Sequence, residues 1–133
     1  MQRGVGRVLV ALGFAPVEEM VLAGGLRADL MALGPGGEIW IVECKSGAAD
    51  FRADRKWRGY LEWCDRFFWA VPPDFPQAIL PPEGGLILAD AWGGEVLRLP
   101  PETPLAGARR KAVTRGFARA AALRLNGLRD PQP

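Results

Sequence analysis

Three ionisable side chains stand inside otherwise apolar runs: Asp29 within residues 26–33, and Glu43 and Lys45 at the end of residues 38–45. A charge in a buried strand is costly unless something pairs with it. Glu43 and Lys45 are two residues apart, so on a strand they project from one face. Asp29, on a neighbouring antiparallel strand, can lie beside them where the register allows. Two carboxylates and a backbone carbonyl, that of Cys44, make a hard oxygen donor set suited to Mg²⁺ or Mn²⁺. Such an ion acidifies a bound water and offsets charge developing on a phosphate. Lys45 can orient that water or stabilise the negative transition state. Glu19, one strand earlier, is an additional carboxylate for a second metal or a water. The competing reading is a structural ion pair, Asp29 with Arg27 or Lys45 and Glu43 with Lys45, at a solvated strand end.

Positioning these residues requires a sheet, and the pattern supplies one. Residues 2–13 carry Val5, Val8, Leu9 and Leu12 at helical spacing. Residues 17–23 read as a strand with Val17, Glu19 and Val21 on one face and Glu18, Met20 and Leu22 on the other. Gly24-Gly25 predicts a tight hairpin into the strand 26–33, and Gly34-Pro-Gly-Gly37 turns the chain into the strand 38–45. Asp50 is a candidate cap for a helix over 50–65, with Ala53, Trp57, Tyr60, Leu61 and Cys64 on its buried arc. A buried strand follows at 67–71. The segment 72–85 holds five prolines and reads as irregular. A second hairpin spans 86–90 and 95–99, and a final helix runs over 105–125 with Val113, Phe117, Ala120, Ala121 and Leu125 inward. Residues 126–133 are expected to be disordered. The expectation is a single α/β (α+β) domain over 1–133, core about 2–125: an αβββαβ core with a mixed central sheet between helices, an extra β-hairpin and a C-terminal helix.

Composition narrows the chemistry. The 133 residues contain no histidine. That removes Ser-His-Asp and Cys-His catalysis, most zinc sites and any histidine general base. Cys44 and Cys64 lack metal-ligand spacing and read as reduced thiols. No apolar run approaches the ~20 residues of a membrane span, and the N-terminal apolar stretch reads as a core helix, so a cytoplasmic protein is expected. The net charge is only +2, but it is unevenly spread. Residues 17–43 carry five acids and one base, residues 103–133 seven bases and one acid. Arg55 and Lys56 beside the site, and Lys111, Arg115 and Arg119 along one stripe of the last helix, are candidate phosphate contacts, although a solvated outer face is the simpler account of the stripe. Arg52 fits a solvated helix face better. Trp92, at a hairpin tip, is the aromatic expected to be exposed, where it can stack on a base.

The αβββαβ order, with an acid on the second strand and Glu-x-Lys on the third, resembles the PD-(D/E)xK nuclease superfamily, whose fold is restriction-endonuclease-like. Within it, Arg27-Ala-Asp29-Leu, Glu38-Ile-Trp-Ile-Val-Glu43-Cys-Lys45-Ser46, Asp50-Phe-Arg-Ala-Asp54-Arg-Lys-Trp57 and Phe67-Phe-Trp-Ala-Val-Pro72 resemble the MmcB-type family of bacterial DNA-repair proteins. The resemblance covers nearly the whole chain. It implies metal-dependent hydrolysis of DNA phosphodiesters, with Asp29 and Glu43 as metal ligands, Lys45 as the catalytic lysine and Glu19 matching an upstream glutamate. Ala28 stands where the superfamily motif has proline, a position that shapes backbone. The alternative is a nucleic-acid-binding or repair-scaffold module that retains the fold without cutting. A domain this small leaves little surface for sequence recognition, so DNA shape, a homodimer or a partner would supply specificity.

Overall fold

Val5, Val8 and Leu9 recur on one face of the first helix, α1 (Gln2–Ala11), and that face is buried. The structure, a computed structural model, describes residues 1–131, and a six-stranded sheet forms its centre. The strands are β1 (Ala15–Val21), β2 (Arg27–Leu33), β3 (Ile39–Cys44), β4 (Arg66–Val71), β5 (Gly85–Ala89) and β6 (Gly94–Arg98), in that spatial order. β1–β2, β2–β3 and β5–β6 pair antiparallel; β3–β4 and β4–β5 pair parallel. Parallel strands are covered on both faces and read as unbroken apolar runs, as Phe67 to Val71 of β4 does.

Strand alternation divides the core in two. Leu30, Val42, Phe68 and Ile87 pack under α1. Met31, Ile41, Phe67 and Trp69 pack on the other face, against Trp57, Tyr60, Val113 and Phe117. The last two belong to α3 (Gly107–Arg129). The expected mixed sheet between helices, with an added hairpin and a C-terminal helix, is therefore the observed α+β architecture. Both cysteines are free thiols, and among the described residues no helix is long and apolar enough to cross a membrane.

Four local expectations are corrected. The helix expected over 50–65 is a short α2 (Ala48–Ala53) followed by a 3₁₀ stretch (Trp57–Trp63), with Asp54 in an extended conformation between them. A 3₁₀ helix repeats every three residues, which aligns Trp57, Tyr60 and Trp63. β1 does not alternate as expected: Glu19 has φ +52, so Val17 and Met20 share the same core. Leu125 is 60% exposed. A 23-residue helix is about 35 Å long, whereas a seven-residue strand is about 23 Å, so α3 overruns the β1 edge it packs on. Finally, the helix continues through the start of the expected disordered tail to Arg129. It stops just before Pro131, because the residue preceding a proline disfavours helical backbone. The last two positions of that tail lie outside the described residues.

Candidate active site

The β2–β3 register places Leu30 opposite Val42 and Met31 opposite Ile41, so one further step sets Asp29 opposite Glu43. Both belong to the sheet face that carries Met31 and Ile41. The two side chains exchange backbone bonds across the strands. Asp29 N–H donates to Glu43 Oε1 at 2.9 Å, and Cys44 N–H donates to Asp29 Oδ2 at 2.8 Å. One oxygen of each carboxylate stays outside this pair of bonds. Glu43 is only 5% exposed.

Electrostatics follow from that burial. Desolvation, with the facing Asp29 charge next, pushes the Glu43 carboxyl up to about 8; the Asp29 N–H and the Lys45 charge oppose the rise. Asp29 is raised as well, chiefly by burial, with the Cys44 N–H opposing and Glu19 adding to the rise. Facing carboxylates at a largely desolvated site resist joint ionisation unless a cation offsets their charge. The Cys44 thiol is pushed up to about 12, mainly by burial, and stays protonated. Its residue ends β3 between Glu43 and Lys45.

Lys45 extends the parallel ladder by one step, its N–H donating to Ala70 O at 2.9 Å. Its ammonium pairs with Asp54 Oδ2 at 2.8 Å, and the residue is 8% exposed. Asp54 Oδ1 accepts the Lys56 N–H at 2.9 Å, so a single carboxylate ties the lysine to the break between α2 and the 3₁₀ stretch. The sequence pattern assigns Asp54 no role in the site. Beside Arg52, Arg55 and Lys56 it reads as a local surface partner, and only the chain break turns it inward. Asp50, expected as a helix cap, accepts from Ser46 N–H and Oγ and steadies the loop after Lys45.

The fold thus brings Asp29, Glu43 and Lys45 together. The structural pairing considered as the alternative is not present among the described residues: Arg27 pairs with Glu19 at 2.9 Å, and Lys45 pairs with Asp54. Glu19 sits across from Asp29, between the Glu18–Leu30 and Met20–Ala28 partners. Its Oε1 accepts from Gln2 Nε2 at 3.0 Å, and its Oε2 faces Arg27 Nε as an ion pair without hydrogen-bond directionality. Among the described residues no group of three or more Asp, Glu, His or Cys side chains is arranged to hold a metal. Two carboxylates, with backbone and water oxygens, are what the site offers.

Arg52, Arg55 and Lys56 are exposed beside Asp54, and Lys111, Arg115 and Arg119 are exposed along α3; none is in an ion pair among the described residues. The elements that carry them pack on the sheet face that bears Asp29 and Glu43. A surface groove of about 550 Å³ that includes Leu12, Trp40 and Leu99 lies at the opposite end of the strands and has no part in this site.

A family model described as DNA repair protein MmcB-like matches residues 1–132. A solved structure of a protein of unknown function from Silicibacter pomeroyi is similar to this chain, with 60% identity and a TM-score of 0.93. The match covers 97% of this chain and 88% of the other. No curated protein matches.

Proposed function

The chain belongs to the MmcB-like family of DNA repair proteins, and from that premise we propose a metal-dependent DNA phosphodiesterase of the PD-(D/E)xK type, with its centre at Asp29, Glu43 and Lys45. The observation that carries this reading is the facing Asp29–Glu43 pair. Two carboxylates, Glu43 buried and Asp29 half-buried, meet with no lysine or arginine in ion-pair contact with either among the described residues. Glu43 is pushed up to about 8 there. A divalent ion is the partner that relieves such a pair, and hard carboxylate oxygens suit Mg²⁺ or Mn²⁺. The residues present therefore fit the ion. Asp29 and Glu43 would hold it through the oxygens outside their backbone bonds, with the Cys44 carbonyl alongside. When bound, the ion supplies Lewis-acid charge and an acidified water.

The chain's own groups do the rest. The low exposure of Glu43 and Lys45 keeps bulk water from screening their charges. Lys45 presents an ammonium that can stabilise negative charge on a phosphate or orient the attacking water, and Asp54 holds it in place. Arg55 and Lys56 follow directly in the chain and supply phosphate contacts beside the centre, with Lys111, Arg115 and Arg119 extending the basic surface. DNA is the partner this implies.

The test is incubation of the purified chain with single-stranded, double-stranded and branched DNA, with and without Mn²⁺, beside Glu43→Ala and Lys45→Ala. Metal-dependent cleavage is expected, with each substitution lowering the rate by about 10²-fold or more. Absence of metal-dependent cleavage on every substrate, or undiminished cleavage by the variants, sinks the assignment. One observation favours the second reading, a DNA-binding repair module that does not cut: Lys45 is already neutralised by Asp54 and little exposed. That reading predicts DNA binding without cleavage.

A further inference from the structure

Trp92 is 76% exposed, the only one of the five tryptophans left standing out from the surface. Its tip is not loose. Asp90 Oδ1 accepts the N–H groups of Trp92 and Gly93 at 2.7 and 2.9 Å, and Asp90 N–H closes the turn on Gly93 O at 2.9 Å. Arg7 reaches from α1 to donate to the Trp92 carbonyl at 2.9 Å. Gly4 of α1 packs so closely on this turn that a Cβ there would come within 1.9 Å of Asp90 O. The indole is therefore presented by a braced hairpin, and a ligand stacking on it meets little ordering cost.

Topology fixes where this tip lies. β3, β4 and β5 are parallel, so the turn after Ala89 emerges at the end of the sheet where Cys44 ends β3 between Glu43 and Lys45. Two strand spacings, about 10 Å, separate β3 from β5. Arg3 and Arg7 are four residues apart on α1, hence on one face, and both are exposed with no carboxylate partner among the described residues. A groove of about 530 Å³ beside the indole is lined by Pro73, Leu88, Gly93 and Gly94 together with Asp90 and Glu95. The acids disfavour a phosphate in that groove but tolerate a base. The arginines supply phosphate contacts from α1, on the sheet face opposite Asp29 and Glu43, so a strand touching both passes over this end of the sheet.

We propose that Trp92 is a base-stacking platform for unpaired DNA, with Arg3 and Arg7 holding the adjoining phosphates, so that the strand reaching the Asp29–Glu43 site is single-stranded or locally opened. This rests on the DNA-directed reading of the site. An indole face can stack only on a base released from its neighbours, and such stacking is tolerant of sequence. A paired duplex offers no such base except at its ends.

The experiment is fluorescence anisotropy of the full chain in EDTA, where no cleavage can occur, with labelled oligo-dT and a duplex of equal length whose ends are closed by non-nucleotide linkers. Trp92→Ala should weaken oligo-dT binding about 5- to 100-fold, Trp92→Phe should restore most of it, and duplex binding should stay within twofold. Arg3→Ala, which leaves the Arg7 bond to the Trp92 carbonyl intact, should flatten the salt dependence on oligo-dT by about one phosphate contact. Circular dichroism verifies folding, which an exposed side chain should not disturb. Equal losses on both ligands, no loss in Trp92→Ala, or no DNA binding at all overturns the proposal; in the last case a protein partner of the hairpin becomes the occupant to test. Trp92-dependent binding without cleavage in Mn²⁺ would remove the nuclease and leave the platform.

Discussion

At the scale of single residues, Glu43 sets the tension in this molecule. Its carboxyl is raised to about 8 by burial and by Asp29, well above its ordinary value. The unfolded chain ionises near pH 4.5 and the folded chain only near 8. Stability linked to this group is therefore fully present below about pH 4.5, falls across that window and is lost above about 8. Each pH unit between those two values is worth about 1.4 kcal/mol, so a few kcal/mol are at stake. In metal-free buffer at pH 8, Glu43→Gln should raise the thermal midpoint by several degrees, and the gain should vanish near pH 4. Calorimetry at the two pH values checks this; a variant less stable than the parent at pH 8 contradicts it. The same substitution removes a ligand from the proposed metal site, so stability and activity should move in opposite directions.

At the scale of elements, the tightest polar junction lies away from the site. Asp65, at the entry to β4, is 3% exposed and accepts from Ile39 N–H, Leu105 N–H and both terminal nitrogens of Arg110. Burial alone would raise its carboxyl, but the Arg110 guanidinium and those N–H groups outweigh it and leave it lowered. Arg110 also donates to Gly37 O at 2.8 Å, so the start of α3 is pinned to the β2–β3 turn. Removing one partner of a buried pair strands the other charge. Arg110→Ala should cost about 3 kcal/mol, and its effect should shrink as pH falls below the carboxylate range, because the lowered Asp65 pKa makes the bond's contribution vanish on protonation. Denaturant titration at pH 7 and pH 3 measures both. An effect that does not change with pH would mean that packing, and not the ion pair, holds the helix.

At the scale of the whole molecule, charge is divided by position more than by amount. The net charge of +2 conceals an acidic stretch, five acids and one base over residues 17–43, and a long helix carrying Lys111, Arg115 and Arg119. On the proposed DNA-directed reading, exposed cations without carboxylate partners among the described residues would contribute to binding through counterion release, which shows as a slope against salt. Replacing all three α3 cations with alanine should weaken binding to any DNA sequence alike and reduce that slope by about two to three phosphate contacts. Anisotropy titrations at several salt concentrations decide it. An unchanged slope assigns the stripe to a solvated outer face.

What could be read from the chain by itself was whatever depends on local periodicity. Alternation put Glu43 and Lys45 on one face, apolar runs marked the buried strands, and Gly-rich pairs marked the turns, because each of these is a property of a few neighbouring residues. The missing histidines excluded rival chemistries for the same reason: composition needs no fold. The tertiary structure alone decided the partners. Asp54 turns inward only because the helix breaks there and Lys45 waits 2.8 Å away. Glu19 adopts its left-handed backbone where Gln2, Arg27 and Arg124 meet it, Arg124 Nη2 donating to its carbonyl at 2.7 Å from far along the chain. The facing of Asp29 and Glu43 is likewise a matter of register between strands, set by the whole sheet and its two cores. Such pairings join residues distant in sequence, and no local pattern encodes them.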